Sequence, residues 1–124
     1  MNGHRIMAID DENIVGKMIK TVFEQDGYIV EAFLNPVPAL ARLKEEKFDV
    51  VITDLKMKDM DGIEVLKTIK KESPETKVIM ITAFASLDAA VEAFRRNADD
   101  FFPKPVKISD LKACVRRLLK ESPE

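Results

Sequence analysis

One cysteine, Cys114, stands in 124 residues, so no internal disulfide can form and the fold must rest on a packed core. That usage fits a reducing, cytoplasmic compartment, and Cys114 reads as a small hydrophobe on the last helix. One histidine, His4, has no second histidine or cysteine partner set, which excludes a zinc site of the usual kind. The four glycines, Gly3, Gly16, Gly27 and Gly62, make no glycine-rich phosphate loop, which weighs against a nucleotide or flavin carrier. No apolar run approaches the length of a membrane span, and no basic start followed by an apolar stretch marks a signal peptide. The net charge of -2 leaves no basic footprint for direct nucleic-acid binding.

What is present is the composition of a soluble globule, 46% hydrophobic and 34% charged, long enough for one domain with its own core. Apolar runs alternate five times with amphipathic stretches, which argues an α/β fold with a parallel sheet. The strands are predicted at 5–9, 28–33, 50–53, 77–82 and about 100–102. The first, third and fourth hold the unbroken runs Ile6-Met7-Ala8-Ile9, Val50-Val51-Ile52 and Val78-Ile79-Met80-Ile81, as expected of strands covered on both faces. The second carries Glu31 and the fifth is short and opens with Asp99-Asp100, so both suit sheet edges. The order 2-1-3-4-5 follows, a flavodoxin-like (βα)5 three-layer sandwich.

Helices fill the gaps. Ile14, Met18 and Val22 form one apolar stripe, and Ile108, Leu111, Val115 and Leu118 another. Asn35 before Pro36 and the later Ser86 read as N-caps, and Asn97 as a left-handed residue closing the fourth helix. Residues 1–121 are expected to form the domain and 122–124 a tail or the start of a linker.

Polar residues fall where this topology makes them meet. Asp10 and Asp11, Asp54, Thr82 and Lys104 each follow a strand-like run, and in a parallel sheet those strand ends share one edge. Singly they have plain explanations, as helix caps, a strand end or a solvated lysine. Together they are the parts needed to move a phosphoryl group onto a carboxylate: Asp54 as nucleophile, Asp10 and Asp11 with Asp54 as Mg²⁺ ligands, Lys104 as counter-charge and Thr82 as hydroxyl donor.

The segments Ala8-Ile9-Asp10-Asp11-Glu12, Ile52-Thr53-Asp54-Leu55 with Met57 and Asp61-Gly62, Ile81-Thr82-Ala83 and Phe102-Pro103-Lys104-Pro105 resemble the receiver domain of two-component response regulators. The resemblance covers essentially the whole chain. It implies a cytoplasmic, bacterial phosphoacceptor that takes phosphate on Asp54 from a sensor histidine kinase or phosphotransfer protein. Such a module is a signalling domain, not an enzyme, and assists its own phosphorylation and dephosphorylation. The resemblance adds the backbone carbonyl of Lys56 as a metal ligand, a cis peptide before Pro105, and Phe101 as a switch aromatic coupled to Thr82.

The stretch from Leu87 to Phe94 resembles the fourth helix of nitrogen-regulation-type receivers. It makes the face of the fourth helix, fifth strand and fifth helix the expected output surface, for a homodimer or a downstream effector domain or protein. Phe84, two beyond Thr82, is expected to exclude water and slow self-hydrolysis. Departures from the family pattern are Lys58-Asp59 after Met57, Asn97 in place of glycine and Val106 after Pro105. Alternatives are a degenerate receiver that only docks, and an aspartate-nucleophile phosphohydrolase of the haloacid dehalogenase type. The latter family places its nucleophile in a D-x-D pattern after the first strand, where this chain has Asp10-Asp11.

Overall fold

Strand register decides which residues meet, and it follows from strands that bury both faces. The computed structural model describes residues 3–58 and 60–120. Along the chain run β1 (Arg5–Ile9), α1 (Asn13–Glu24), β2 (Ile29–Phe33), α2 (Pro36–Glu45), β3 (Val50–Asp54), α3 (Gly62–Glu72), β4 (Lys77–Thr82), α4 (Leu87–Arg95), β5 (Asp100–Pro103) and α5 (Ile108–Leu118). All pairings are parallel, in the order β2-β1-β3-β4-β5. The expected tail at 122–124 and Asp59 lie outside the described residues.

Alternation along the central strands builds two cores. Ile6, Ala8, Val50, Ile52, Ile79 and Ile81 face a layer with Ile19 and Phe23 of α1 and Leu111 and Val115 of α5. Met7, Ile9, Val51, Val78 and Met80 face the other, with Ala39 of α2, Val65, Leu66 and Ile69 of α3 and Ala93 of α4. Burying such side chains is worth about 1.5–3 kcal/mol each, so the doubly covered centre dominates stability.

Local chemistry sets the ends. Asn35 and Ser86 cap α2 and α4 through side-chain bonds from the Val37 and Ala89 N–H groups. Asn97 closes α4 at φ 72°, in the left-handed region it was predicted to occupy. β2 starts at Ile29 and not at the predicted Tyr28, because the Tyr28 N–H bonds the Phe23 carbonyl at 3.2 Å and its ring packs edge-on against Phe23 at 5.4 Å. Cys114 is buried and donates to Asp100 Oδ2 at 3.2 Å. Burial first, and Asp100 second, push its thiol up to about 12, so it stays protonated and inert.

At the sheet end opposite the strand carboxyl ends, Lys70 Nζ bridges the Thr76 carbonyl and Asp99 Oδ2, both at 2.8 Å, tying α3 to β4 and to the turn before β5. At the β2 edge, Arg42 of α2 grips Glu31 with two parallel bonds of 2.8 and 2.9 Å. Among the described residues no helix is long and apolar enough to cross a membrane.

Gly62 opens α3 directly behind the end of β3. A Cβ there would fall 2.6 Å from Leu55 Cα and 2.7 Å from its carbonyl oxygen, against backbone that cannot yield. Gly62→Ala should therefore destabilise by about 1–3 kcal/mol in chemical denaturation, although alanine in an unobstructed helix would gain up to about 1 kcal/mol. A gain in stability would contradict this packing.

Arg42, against a smaller opposing effect of burial, holds the Glu31 carboxyl below its ordinary value of 4.5. The stabilisation is thus present above that value and fades as pH falls through the lower folded one. Glu31→Gln should lower the thermal midpoint at neutral pH and match the parent below about pH 3; an equal deficit at both would show that charge is not the cause.

Candidate functional site

Four strand ends converge because their registers are offset in step. Ile9 pairs with Thr53, so Asp10 lies level with Asp54; Asp54 pairs with Ile81, so Thr82 stands one residue beyond; Thr82 pairs with Pro103, so Lys104 follows in turn. The Lys104 N–H donates to the Thr82 carbonyl at 2.8 Å and fixes the last of these steps. The Lys104–Pro105 peptide is cis.

One ammonium holds the acids. Lys104 Nζ lies 2.6 Å from Glu12 Oε1, 2.9 Å from Asp10 Oδ2 and 3.0 Å from Asp54 Oδ2. Its side chain is only 12% exposed, and those of Asp10 and Asp54 are 1% and 7% exposed. Burial by itself would pull the Lys104 pKa down, but its contacts with Glu12, Asp10 and Asp54 outweigh that and hold it above the ordinary lysine value. Asp10 is raised: desolvation exceeds the opposing help of Lys104 and of the Glu12 N–H, and the Asp54 charge adds to the rise.

Backbone donors orient the two buried carboxylates. Asp10 Oδ1 accepts from the Glu12 N–H at 2.8 Å, and Asp54 Oδ1 from the Lys56 N–H at 3.1 Å. Asp10 Oδ2 is different. It is buried and meets the Lys104 ammonium as an ion pair at 2.9 Å.

Oxygens of Asp10, Glu12 and Asp54 all lie within 4.8 Å of one another, a group that could hold a metal ion. The donors are hard carboxylate oxygens with no sulfur or imidazole, which suits Mg²⁺ or Ca²⁺ and not zinc or copper. The buried Asp10 carboxylate, whose Oδ2 is held by the Lys104 ammonium, supports the fit, since a cation already occupies the point where the acids converge.

Of the residues predicted for the site, Asp10, Asp54 and Lys104 are brought into direct contact. Asp11 is exposed and outside the three-carboxylate group. Thr82 is fully buried at the adjacent strand end, its Oγ1 accepting from the Phe84 N–H at 3.0 Å. Phe84 itself is 67% exposed. Phe101 is half-buried on the α4 side of the sheet, while Phe102 packs on the α1 and α5 side. Glu12 was quoted in the first motif without a role. The signal that could have found it is its place: it stands two residues beyond a buried strand-end aspartate and just before α1, whose N-terminus its side chain does not cap.

In a doubly wound parallel sheet, ligands bind outside the carboxyl ends of the strands, which is where this carboxylate and lysine cluster lies. The model of the response regulator receiver domain matches residues 6–116, and the chain belongs to that family. It is 34% identical over 119 residues to the DNA-binding transcriptional regulator NtrC of Proteus hauseri, covering 96% of this chain and 25% of that protein. The chain thus spans about a quarter of the length of that relative. A receiver domain protein (CheY-like) from Methanospirillum hungatei JF-1 superposes with a TM-score of 0.92 at 33% identity, covering 96% of this chain and 95% of that one. A response regulator protein from Burkholderia pseudomallei, with a phosphorylated aspartic acid, calcium ion and citrate, gives a TM-score of 0.84 at 25% identity, covering 90% of this chain and 65% of that one.

Proposed function

We propose that Asp54 accepts a phosphoryl group from the phosphohistidine of a sensor histidine kinase or phosphotransfer protein in the cytoplasm, and that the chain passes the change on through its α4-β5-α5 face. The observation that carries this reading is Lys104 Nζ, 3.0 Å from Asp54 Oδ2 at the end of the central strand β3. A carboxylate oxygen of Asp54 forms the new O–P bond while the P–N bond to the donor imidazole breaks, and the imidazole nitrogen leaves with its electron pair. The product is an acyl phosphate on Asp54.

Each neighbour has one task. Lys104 already rests against the attacking carboxylate and stays with the phosphoryl oxygens as counter-charge. Lys56 N–H holds Asp54 Oδ1 and so sets the carboxylate plane. Asp10, Asp11, Asp54 and the Lys56 carbonyl would hold Mg²⁺, which supplies neutralisation of the charge gathered between carboxylates and phosphoryl oxygens. The Burkholderia pseudomallei regulator, with its phosphorylated aspartate and calcium ion, supports pairing such a residue with a hard divalent cation.

Readout starts at Thr82. Its hydroxyl oxygen is engaged by the Phe84 N–H, and turning toward a phosphoryl oxygen breaks that bond and frees the loop leading into α4. Phe101, half-buried against the α4-side core, follows inward. The outer face of α4 bears Leu87, Val91 and Phe94 at helical spacing, all exposed, an apolar stripe suited to a second receiver or an effector domain. The kinship with a transcriptional regulator favours an effector carried outside the described residues. A docking-only role leaves the Asp10, Asp54 and Lys104 contacts without a use.

Intact mass after incubation with a small acyl-phosphate donor tests the chemistry. A single Mg²⁺-dependent phosphoryl adduct that Asp54→Asn abolishes is expected. No adduct under any condition would leave a docking module.

A further inference from the structure

We propose that Lys70 is a positioning residue for the phosphoacceptor site: by gripping Asp99 it fixes the register of β5 on β4, and that register carries Lys104 to Asp54. The consequence for phosphorylation rests on the reading above; the register does not.

β5 needs a key because its own sequence specifies its register weakly. It is an edge strand of four residues, none of them fully buried. The segment that leads into and through it, Asp99-Asp100-Phe101-Phe102, consists of two doublets. A slip of one residue would set Asp100 in the place of Asp99 and Phe102 in the place of Phe101, like for like. Side-chain patterning ordinarily forbids such a slip, since it turns every side chain to the other face, but identical neighbours blunt that penalty. The cost would fall on Lys104. One residue of strand spans about 3.3 Å, more than the 3.0 Å between its Nζ and Asp54 Oδ2, and Pro105 would arrive in its place.

Two cations on opposite faces of the sheet tell the aspartates apart. Asp99 Oδ2 accepts from Lys70 Nζ and from the Val78 N–H, both at 2.8 Å, and the Asp99 N–H donates to the Val78 carbonyl at 2.8 Å. One residue thus takes both backbone groups of Val78. Lys70 Nζ also donates to the Thr76 carbonyl at 2.8 Å, and α3 beneath it is rooted by Val65, Leu66 and Ile69, so the ammonium stands at a fixed place along β4. From α5, Arg117 and Cys114 take Asp100 Oδ2 at 2.7 and 3.2 Å. The Arg117 side chain is 61% exposed and that of Lys70 13%, so the Lys70 contact discriminates more strongly, because a displaced partner there leaves a charge out of water. At the far end the Lys104 N–H closes on the Thr82 carbonyl at 2.8 Å.

The competing explanation is a staple that adds stability and nothing else. NMR of the metal-free Lys70→Met and Asp99→Asn variants separates the two, with the rate of Mg²⁺-dependent phosphorylation by a small acyl-phosphate donor measured beside it. Asp99→Asn keeps an acceptor for the Val78 N–H and drops the charge, so it decides the matter if Lys70→Met does not fold. Glu31→Gln is the control, since it breaks an ion pair at the other sheet edge, on β2. Both test variants should show a second set of β5 amide signals, with Phe102 touching the α4-side core that Phe101 alone touches in the parent. They should also slow phosphorylation about 3- to 10-fold through a misplaced Lys104. Glu31→Gln should keep one set and the parental rate. One set of β5 signals with the parental rate in the test variants, whatever the loss in thermal midpoint, overturns the proposal and leaves a staple. Either change without the other, or equal slowing in Glu31→Gln, overturns it too. A parent that takes no phosphoryl group overturns the phosphoacceptor reading, and the β5 signals then decide the register claim by themselves.

Discussion

The ammonium of Lys104 is the contact on which the site depends. Three carboxylates converge where two of them are almost wholly out of water, and without a cation they would disfavour one another's charge. Lys104 resolves this by touching all three at 2.6 to 3.0 Å. Its reach spans β1, the turn before α1, β3 and the end of β5, so one side chain records the packing of most of the sheet. A divalent ion or a phosphoryl group at this place meets groups already oriented, and little reorganisation is needed when charge arrives.

The scaffold is uneven in a way that suits this use. α3 is seated hard against β3: Gly62, Val65, Leu66 and Ile69 are buried, and Gly62 has no room for a methyl group. α4 buries Ala93 alone and turns Leu87, Val91 and Phe94 outward. A helix held by few buried contacts opens at lower cost than its neighbours. The tightly packed side therefore fixes Asp54, and the lightly held side lies next to Thr82 and Phe101.

Much of this was legible in the sequence for physical reasons. Unbroken apolar runs at Ile6–Ile9, Val50–Ile52 and Val78–Ile81 leave no choice but strands covered on both faces, and these gave the sheet its centre. The rule that parallel strands share a carboxyl edge then brought Asp10, Asp54 and Lys104 together across as many as 94 positions of chain. Tyr28 was misplaced because its aromatic, strand-favouring character is overridden by packing on Phe23. Glu12 was passed over because a glutamate just before a helix looks like a solvated charge; its contact with Lys104 depends on the path of the β5–α5 turn, which no local pattern encodes. That Asp10 is buried and Asp11 exposed was not legible from the adjacent pair itself; consecutive residues leaving a strand point apart, and the sheet covers one of them.

The most direct test of the Lys104 clamp is the side-chain ammonium signal of Lys104 in ¹⁵N-detected NMR of the metal-free protein. A lysine gripped by Asp10, Glu12 and Asp54 should give a distinct resonance shielded from solvent exchange, and that resonance should move when Asp54 is phosphorylated. A Lys104 signal averaged with those of the surface lysines, and indifferent to phosphorylation, would contradict the account.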